Sequence, residues 1–323
     1  MAGTSTERHK PVNVLVTGGA GFIGANLCRE LVSRPSIGKV VALDDLSTGT
    51  AANLADTDVE LVEGSILDRD LLEDVVAGAD AVVHLAARPS VPRSLADPFA
   101  SHEVNATGTV RVLEACRRRN THLVAASSSS VYGSVTSLPK HEDLPTRPLS
   151  PYAASKLAAE SYVLAYGSAF GLPALAFRFF NVYGPLQPAG HAYAAVVPSF
   201  IDAALRGEPL TVFGDGHQTR DFTYVGTVAR VLADAVVRKV TCASPVNLAF
   251  GTRVSVLELA HHLAKTMELA IETRHEAPRR GDVRDSQADD GSLRGLFTEL
   301  TAVPLEQGLT ETVKWFRSLP AYA

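Results

Sequence analysis

Tyr152 and Lys156 are the two residues of this chain whose types and spacing most directly suggest chemistry. They lie four positions apart in SPYAASKLAAESY, residues 150–162, where Ser150-Pro151 and the alanines after it are typical of a helix N-terminus. Residues at this spacing share one helix face, so the ammonium is expected beside the phenol. There it would stabilise the phenolate and lower the phenol pKa toward neutrality, as a bound nicotinamide cation also would. Such pairs are more often part of a solvated helix face, so the interpretation depends on the rest of the sequence.

A run of serines provides a third candidate group. ASSSSVYG, residues 126–133, follows the apolar stretch His122–Ala126, so it is predicted at the carboxyl end of a buried strand. A serine hydroxyl can donate or accept a hydrogen bond while staying uncharged, which suits a residue beside a moving proton. A simple serine-rich turn explains the pattern less well, because hydroxyls at the end of a buried strand need partners.

The glycine-rich turn TGGAGFIG, residues 17–24, indicates a nucleotide-binding protein. It lies between the apolar run Val12–Val16 and the helix-like segment Asn26–Ser33. Glycines at 18, 21 and 24 permit a tight turn, a close approach to a pyrophosphate and packing of helix on strand, while the helix N-terminus attracts negative charge. A glycine triplet alone is weak evidence, but the strand before it and the helix after it supply the required context.

A carboxylate lies where a dinucleotide-binding fold would use one. The apolar run Val40–Leu43 ends at Asp44, which follows Gly24 by about 20 residues. A carboxylate there accepts hydrogen bonds from the adenosine ribose hydroxyls and repels a 2′-phosphate. The sequence therefore favours NAD over NADP, the alternative being that Asp44 and Asp45 are ordinary turn residues.

The composition excludes several classes of protein. The chain has 323 residues, 46% of them apolar, and a net charge of −5 with a pI of about 6.1, so nothing favours binding to nucleic acid or to an anionic membrane. Its first apolar run is too short for a signal peptide, and no run approaches the length of a membrane span. Cys28, Cys116 and Cys242 lack zinc-type spacing and are expected as buried thiols. We therefore predict a cytoplasmic protein without a structural metal.

Strand-like and helix-like segments alternate along the first half of the chain. Strands are predicted at 12–16, 40–43, 59–62, 81–85, 122–126 and 174–179, and helices at 25–33, 69–76, 103–118 and 152–168. This order predicts an α/β fold with a Rossmann-type, doubly wound parallel sheet that binds ligands at the carboxyl ends of its strands.

A smaller C-terminal α/β lobe is expected to bind the substrate. We predict that residues 1–180 form the NAD-binding domain, that 222–250 return to it, and that 181–221 and 251–323 form the second lobe. Helices near 195–206, 254–266 and 305–318 and a hairpin over 208–222 are predicted outside the first domain.

A series of motifs resembles the extended short-chain dehydrogenase/reductase family. In family order, the motifs are TGGAGFIG, DDLSTG (44–49), HLAA (84–87), SSSSVYG (127–133), YAASK (152–156), RFFNVYGP (178–185) and TRDFTYV (219–225). Within this family they are similar to nucleotide-sugar epimerases and dehydratases, and most of all to UDP-glucose and UDP-N-acetylglucosamine 4-epimerases. The resemblance implies an NAD-dependent enzyme and a homodimer formed through the helices that hold 103–118 and 152–168.

The resemblance also assigns roles to individual residues. Ser128, Tyr152 and Lys156 match the catalytic group, in which Tyr152 is the base and Lys156 also holds the cofactor ribose. The implied cofactor-binding residues, besides Tyr152 and Lys156, are Gly18, Gly21, Phe22, Ile23, Gly24, Asp44, Asp45, Leu46, Ser47, Gly49, Ser65, Ile66, Leu85, Ala86, Ala87, Asn105 and Phe179. The implied substrate-binding residues are Ser90, Ser128, Ser129, Ser130, Tyr152, Asn181, Val197, Phe213, Arg220, Arg279, Asp282 and Ser286. Arginines suit the diphosphate because a guanidinium pairs with two phosphate oxygens.

The chain departs from the family pattern near the cofactor. Many relatives carry Asp where Ser65 stands, and galactose-type epimerases often have a lysine near Pro89. Here the loop ARPSVPRS, with Arg88, Ser90 and Arg93, replaces that lysine.

The implied reaction depends on two serines. Dehydratases of the family carry Asp-Glu at the positions of Ser129 and Ser130, and decarboxylases usually carry Glu at the second. Neither serine can act as a carboxylate acid or base, so the resemblance implies 4-epimerisation through a transient 4-keto sugar.

The sugar is less well determined than the reaction. Ser286 matches a position that is small where an N-acetyl group must fit, so UDP-hexoses and UDP-N-acetylhexosamines are the expected substrates, unless Ser286 is only a surface residue. Three other functions stay open. They are a UDP-uronic acid 4-epimerase whose hydroxyls at 128–130 cradle a carboxylate, a 4,6- or 5,6-dehydratase, and a non-catalytic NAD-binding sensor.

Overall fold

The computed structural model of the protein describes residues 10–189, 194–278 and 283–322. Its strands are β1 (Val12–Thr17), β2 (Ile37–Asp44), β3 (Glu60–Glu63), β4 (Ala81–His84), β5 (His122–Ser128), β6 (Ala174–Phe179), β7 (Val182–Tyr183), β8 (Leu210–Phe213), β9 (Thr219–Arg220), β10 (Thr223–Tyr224), β11 (Val246–Leu248), β12 (Val254–Ser255) and β13 (Thr273–Glu276). Its α-helices are α1 (Phe22–Val32), α2 (Arg69–Ala77), α3 (Val91–Ala96), α4 (Pro98–His102), α5 (Gly108–Arg119), α6 (Pro151–Phe170), α7 (Val196–Leu205), α8 (Val225–Val237), α9 (Val256–Met267), α10 (Gly291–Leu296) and α11 (Leu305–Arg317).

A seven-stranded parallel sheet forms the centre of the fold, in the order β11-β6-β5-β4-β1-β2-β3. Side chains alternate across it: Val14 and Val16 of β1 join one buried core, and Leu15 joins the other. Helices α1 and α8 cover the first face, while α2, α5 and α6 cover the second. The predicted fold class is confirmed, because apolar residues on both faces of a parallel strand require helices on both sides.

The helix predicted at 152–168 is also confirmed, as α6. It begins after Ser150, whose side chain accepts a hydrogen bond from the Ala153 N–H, and Pro151 occupies the first turn. The helix predicted at 103–118 has a different construction. It runs from α4 through a π-helical turn, Glu103–Thr107, into α5.

A separate core packs the segments beyond β6. It joins residues of α7, β8, α9 and α11, with Phe200, Val212, Leu259 and Phe316 among its most buried members. Helix α10 differs from the predicted boundary, since Leu293 and the adjacent Phe297 pack into the core of the large sheet. No helix within the described ranges is long and apolar enough to cross a bilayer.

The hairpin predicted over 208–222 is wrong. Strand β8 pairs in parallel with β13, and β9 pairs antiparallel with β12, so the two segments find separate, distant partners. Between them, Gly214 and Gly216 adopt φ values of +76° and +78°, which make a turn that local sequence cannot distinguish from a hairpin loop.

The glycine turn is closed by contacts that leave no room for side chains. A Cβ on Gly24 would lie 2.1 Å from the Gly18 carbonyl oxygen and 2.8 Å from the Gly19 Cα. Gly18 adopts a φ of +72° and lies directly beneath the backbone of Ala86. The turn between β1 and α1 is therefore fixed by backbone packing.

A chain of buried hydrogen bonds joins the ends of β1 and β4. The Ala86 N–H donates to Thr17 Oγ1, which lies 2.7 Å from His84 Nδ1, and His84 Nε2 lies 3.0 Å from Thr109 Oγ1. Thr109 in turn donates to the Asn105 carbonyl. Because the Thr109 hydroxyl donates to Asn105, its oxygen accepts from His84, so His84 carries a proton on Nε2. Burial first, and then the charge of Lys156, lower the pKa of His84 to about 3.

We expect Gly24→Ala to lower the free energy of unfolding by about 1–3 kcal/mol, because the backbone atoms it meets cannot move without opening the turn. The matched control is Gly78→Ala at the end of α2, where an added Cβ meets nothing within 4 Å. Urea unfolding measures both variants. Equal effects of the two substitutions would show that the turn is not tightly packed.

His84 should make the folded state sensitive to acid. The unfolded chain binds a proton at this histidine below about pH 6.5, and the folded chain does not. His84 therefore lowers the free energy of unfolding by about 2 kcal/mol as the pH falls from 8 to 5. We expect His84→Gln to lack this part of the pH dependence, measured by urea unfolding at both pH values. His141→Gln, at a half-exposed histidine, is the control and should follow the original protein. An identical pH dependence for His84→Gln would contradict the buried neutral histidine.

Candidate active site

A large cavity of about 840 Å³ opens at the carboxyl ends of the central strands. The glycine turn, the end of β2, the loop after β4, the end of β5 and the start of α6 all contribute to its wall. The lining includes these predicted cofactor residues: Gly18, Gly21, Phe22, Ile23, Gly24, Asp44, Asp45, Ser47, Ser65, Ile66, Leu85, Ala86, Ala87, Tyr152, Lys156 and Phe179. The structure thus brings together residues that are far apart in the sequence.

Three predicted cofactor residues do not line the large cavity, and each supports its wall instead. Leu46 places its N–H on the Asp44 carboxylate. Gly49 packs against the backbone of Ala20, where a Cβ would approach to 2.7 Å. Asn105 is buried and holds the backbone of Arg88 from both sides, accepting from its N–H at 2.7 Å and donating to its carbonyl at 3.2 Å.

The Asp44 carboxylate lines the large cavity and also holds the backbone of the turns next to it. Its carboxylate accepts hydrogen bonds from the N–H groups of Ala20 and Leu46, both at 2.9 Å. Burial raises the pKa of Asp44, and these backbone hydrogen bonds oppose that rise. Two bonds leave further acceptor positions on the carboxylate for ribose hydroxyls.

The wall of the large cavity fits a dinucleotide. Close backbone packing at Gly18 and Gly24 leaves a smooth surface at the N-terminus of α1, where a pyrophosphate can approach. Asp44 lies on β2, beside β1, where the fold places a ribose-binding carboxylate. The residues present therefore fit NAD, with Asp44 for the adenosine ribose and Lys156 for the nicotinamide ribose.

Ser128, Tyr152 and Lys156 meet at one end of the large cavity. Ser128 forms a hydrogen bond with Tyr152 and also accepts one from the Ser130 hydroxyl at 2.9 Å. Lys156 is buried, with its Nζ donating to the Ala126 carbonyl. A hydroxyl, a phenol and an amine thus line the same cavity, and the first two are joined by a hydrogen bond.

The sequence predicts a lowered pKa for Tyr152, and this prediction is wrong when only the groups of the protein act on the phenol. Burial raises this pKa, and the hydrogen bond from Ser128 only partly opposes the rise. Burial also lowers the pKa of Lys156 to about 8, against the charge of Glu160. The sequence showed the spacing of the two groups but not their desolvation, which disfavours the charged form of each.

A second, small cavity of about 210 Å³ adjoins the large one and shares Asn181, Val182 and Gln187 with it. Val197, Phe213 and Arg220 line it, as a site for the nucleoside diphosphate would require. Arg279 and Asp282 were also predicted there, but they lie outside the described residues.

Four predicted substrate residues line neither cavity: Ser90, Ser129, Ser130 and Ser286. Ser90 adopts a φ of +95° and caps the N-terminus of α3. The Ser130 hydroxyl donates a hydrogen bond to Ser128, which does line the large cavity. Ser286 donates its N–H to the carbonyl of Thr219, beside Arg220.

Sequence reasoning missed several lining residues. They include Thr48, Val104, Ser127, Phe180 and Gln187, and the loop residues Arg88 and Arg93 were recognised without a definite role. The Gln187 side-chain oxygen is buried without a hydrogen-bond partner among the described residues. Because Gln187 lies in a proline- and glycine-rich loop, no periodic pattern indicated it; only the tertiary fold reveals its position.

The chain is similar to known proteins over most of its length. The family model described as "NAD dependent epimerase/dehydratase family" matches residues 14–249. A UDP-glucose 4-epimerase of Mycolicibacterium smegmatis is 38% identical over 317 residues, which cover 95% of this chain and 99% of the relative.

Two solved structures are similar over nearly the whole chain. A UDP-N-acetylglucosamine 4-epimerase from Methanobrevibacter ruminantium M1, in complex with UDP-N-acetylmuramic acid, gives a TM-score of 0.90 at 35% identity, covering 96% of this chain and 99% of that one. A dTDP-glucose 4,6-dehydratase from Streptomyces venezuelae with NAD bound gives 0.87 at 31% identity, covering 96% and 98%. The protein described here is therefore a member of the NAD dependent epimerase/dehydratase family, and its cofactor is NAD.

Proposed function

We propose that this protein is a nucleotide-sugar 4-epimerase that acts on a UDP-hexose or a UDP-N-acetylhexosamine. The observation that carries the proposal is the end of the large cavity, where Ser128, Tyr152 and Lys156 meet without a carboxylate. Among the described lining residues, the carboxylates are Asp44, which ends β2, and Asp45, which follows it. Strand β2 lies three strands from β5, about 14 Å across the sheet. Proton transfer at one hydroxyl is therefore supported, and carboxylate-assisted removal of water is not.

The proposed mechanism begins with the sugar 4-hydroxyl beside Ser128 and Tyr152. Ser128 orients this hydroxyl, and the Tyr152 phenolate accepts its proton. Bound NAD⁺ would supply a reversible hydride acceptor for C4, and its positive charge would favour the Tyr152 phenolate that burial disfavours. Tyr152 then gives the proton back to the keto oxygen after the sugar has presented its other face, which inverts C4. Lys156 supports both steps by holding the cofactor ribose and keeping positive charge near the phenol.

The small cavity supports a nucleoside diphosphate as the handle of the substrate. Arg220 supplies a guanidinium for the phosphates, while Val197 and Phe213 provide an apolar wall for the base and ribose. Of the three relatives named above, two are 4-epimerases of UDP-glucose and UDP-N-acetylglucosamine and one is a dTDP-glucose dehydratase; the two epimerases support a UDP-sugar here. We propose that 181–221 and 251–323 form the nucleotide-sugar lobe and 1–180 with 222–250 the NAD-binding domain, with α10 of the second range packed on the core of the large sheet.

A UDP-uronic acid is the second candidate substrate. Arg88 and Arg93 line the large cavity together with Ser128, and guanidinium groups suit a carboxylate on C6. An N-acetylated or plain hexose would not use that charge. Activity with UDP-glucuronate above that with UDP-glucose would favour this second candidate.

We also propose a homodimer formed through the helices around α6. Leu95 of α3, Phe99 of α4 and Tyr162 of α6 are apolar and 59%, 75% and 46% exposed, and both shorter helices pack on α6. Large apolar side chains exposed together on neighbouring helices mark an interaction surface. A second copy of the chain is the occupant that the family resemblance implies.

Phe99→Glu should dissociate the dimer, because it places a charge at the proposed contact. Light scattering after gel filtration is expected to show twice the chain mass of 34.2 kDa for the original protein and the single mass for the variant. Leu269→Glu, at a side chain 41% exposed beyond the end of α9, is the control and should leave the dimer intact. A monomeric original protein would contradict the proposal.

Incubation with UDP-N-acetylglucosamine and NAD⁺ should convert the sugar to its C4 epimer without a change of mass. Chromatography of the sugars and mass spectrometry of the same sample measure this. Tyr152→Phe should lower kcat by about 10²–10⁴-fold through loss of the proton acceptor. Tyr162→Phe, on the exposed face of the same helix, is the control and should keep full activity.

The outcomes of this incubation separate the remaining functions. A product lighter by one water would identify a dehydratase and contradict the proposal. Binding of NAD without turnover of any nucleotide sugar would indicate the non-catalytic sensor. Full activity of Tyr152→Phe would leave the fold but remove the proposed mechanism.

A further inference from the structure

A buried ion pair lies directly beneath the candidate catalytic group. Glu160 of α6 and Arg178 of β6 are 4% and 3% exposed, and they form a two-pronged contact. Arg178 Nη2 lies 2.7 Å from Glu160 Oε1, and its Nε lies 3.0 Å from Oε2. Neither residue lines the large or the small cavity described above, and none of the roles proposed above uses them.

Both members of the ion pair have further partners besides each other. Ser127 donates its hydroxyl to Glu160 at 2.6 Å, and Arg178 donates to the carbonyl of Glu142 at 3.3 Å. The Arg178 guanidinium stacks 4.7 Å from the centre of the Tyr132 ring. A buried ion pair repays its desolvation only when such additional partners are present. The arrangement is therefore specific in both geometry and charge.

Glu160 belongs to a set of three contacts that fasten α6 to β5. Consecutive residues of the strand each hold one side chain of the helix. The Ala126 carbonyl accepts from Lys156, the Ser127 hydroxyl donates to Glu160, and Ser128 bonds to Tyr152. The contacts at Ala126 and Ser128 hold the proposed catalytic side chains of Lys156 and Tyr152. The contact at Ser127, between them, holds Glu160, which is itself fixed by Arg178.

We infer that Glu160 and Arg178 are positioning residues of the epimerase, which fix the location and the charge of Lys156 relative to Tyr152. This inference rests on the proposed function. Glu160 follows Lys156 by one helical turn, so its carboxylate faces the ammonium from the same side of the helix. Arg178 limits that attraction by holding the carboxylate on β6.

The charges around Lys156 determine what removal of either partner does. Burial lowers the pKa of Lys156 to about 8, and Glu160 opposes the effect. The other titratable or charged groups on α6 and on the elements around it are Tyr152, Tyr162 and Tyr166 on α6 itself, His84 on β4, His122 at the start of β5, Tyr132 after β5, Arg178 on β6, Arg93 on α3, His102 on α4, Glu103 on the π-helical turn, and Arg111, Glu114, Cys116, Arg117, Arg118 and Arg119 on α5. Of these, His84 is neutral, and His102 and Glu103 are exposed. Glu160 and Arg178 are thus the buried charges expected to tune the ammonium.

The experiment measures kcat for epimerisation across alkaline pH, where Lys156 loses its proton. Glu160→Gln should move the alkaline limb of the profile to lower pH by about one unit, because the ammonium loses its anion. Arg178→Gln should move the same limb to higher pH, because the carboxylate loses its competing cation. Opposite shifts from two partners of one contact are what charge tuning requires, and a merely structural contact would not produce them.

Charge-preserving variants provide matched controls. Glu160→Asp and Arg178→Lys break the same geometry but keep the charge, so they should lower kcat while the limb stays in place. If one neutral variant fails to fold, as judged by circular dichroism, the other is compared with its charge-preserving counterpart. The inference would be overturned if the alkaline limb of the kcat profile lay at the same pH in the neutral and the charge-preserving variants. It would also be overturned if Glu160→Gln and Arg178→Gln moved that limb in the same direction.

Lys156→Met separates this inference from the proposed function. An inactive Lys156→Met with unmoved limbs in the Glu160 and Arg178 variants would reject only the positioning role. An active Lys156→Met would reject the proposed mechanism itself.

Discussion

The attachment of helix α6 to strand β5 is the contact on which the candidate site depends. Ala126, Ser127 and Ser128 each hold a different polar side chain of the helix; Lys156 and Glu160 are buried, and the Ser128–Tyr152 contact lies in the wall of the large cavity. A polar group left unpaired in such a place would cost about 1–3 kcal/mol, so the helix has one favourable position on the strand. The backbone of β5 therefore sets where the phenol and the ammonium stand. The same burial that fixes them also disfavours their charged forms, so the chemistry needs compensating charge nearby.

The parallel sheet separates two kinds of chemistry along one cavity. Strand β2 brings Asp44 to the edge of the sheet where β5 brings Ser128, because all parallel strands point their carboxyl ends the same way. The two strands are about 14 Å apart, a distance that an extended dinucleotide spans and a sugar does not. Carboxylates thus line one end of the cavity, while hydroxyl and phenol groups line the other. This separation suits reversible proton transfer and leaves elimination without an acid.

Local sequence patterns were sufficient where short-range rules decide the structure. The central strands, the glycine turn and the N-terminus of α6 follow from alternating apolar runs, from glycine spacing and from Ser150-Pro151, and each was confirmed. The same patterns failed where distant partners decide. The segment 208–222 has a hairpin's turn residues, yet β8 and β9 pair with strands that come more than thirty residues later. Asn105, which the family resemblance assigns to the cofactor site, holds the backbone of Arg88 through its side chain, a contact that no local pattern indicates.

The sequence alone determined the fold class, the family, the NAD cofactor and the identity of the candidate catalytic residues, because these depend on residue types at fixed spacings along the chain. Tertiary structure decided which of those residues face the cavity, which direction burial moves the pKa values of Tyr152 and Lys156, and which hidden charges surround them. Desolvation and long-range electrostatics depend on everything packed around a group. The Glu160–Arg178 pair joins residues from a helix and a strand that no local pattern relates, so it became visible only in the folded chain.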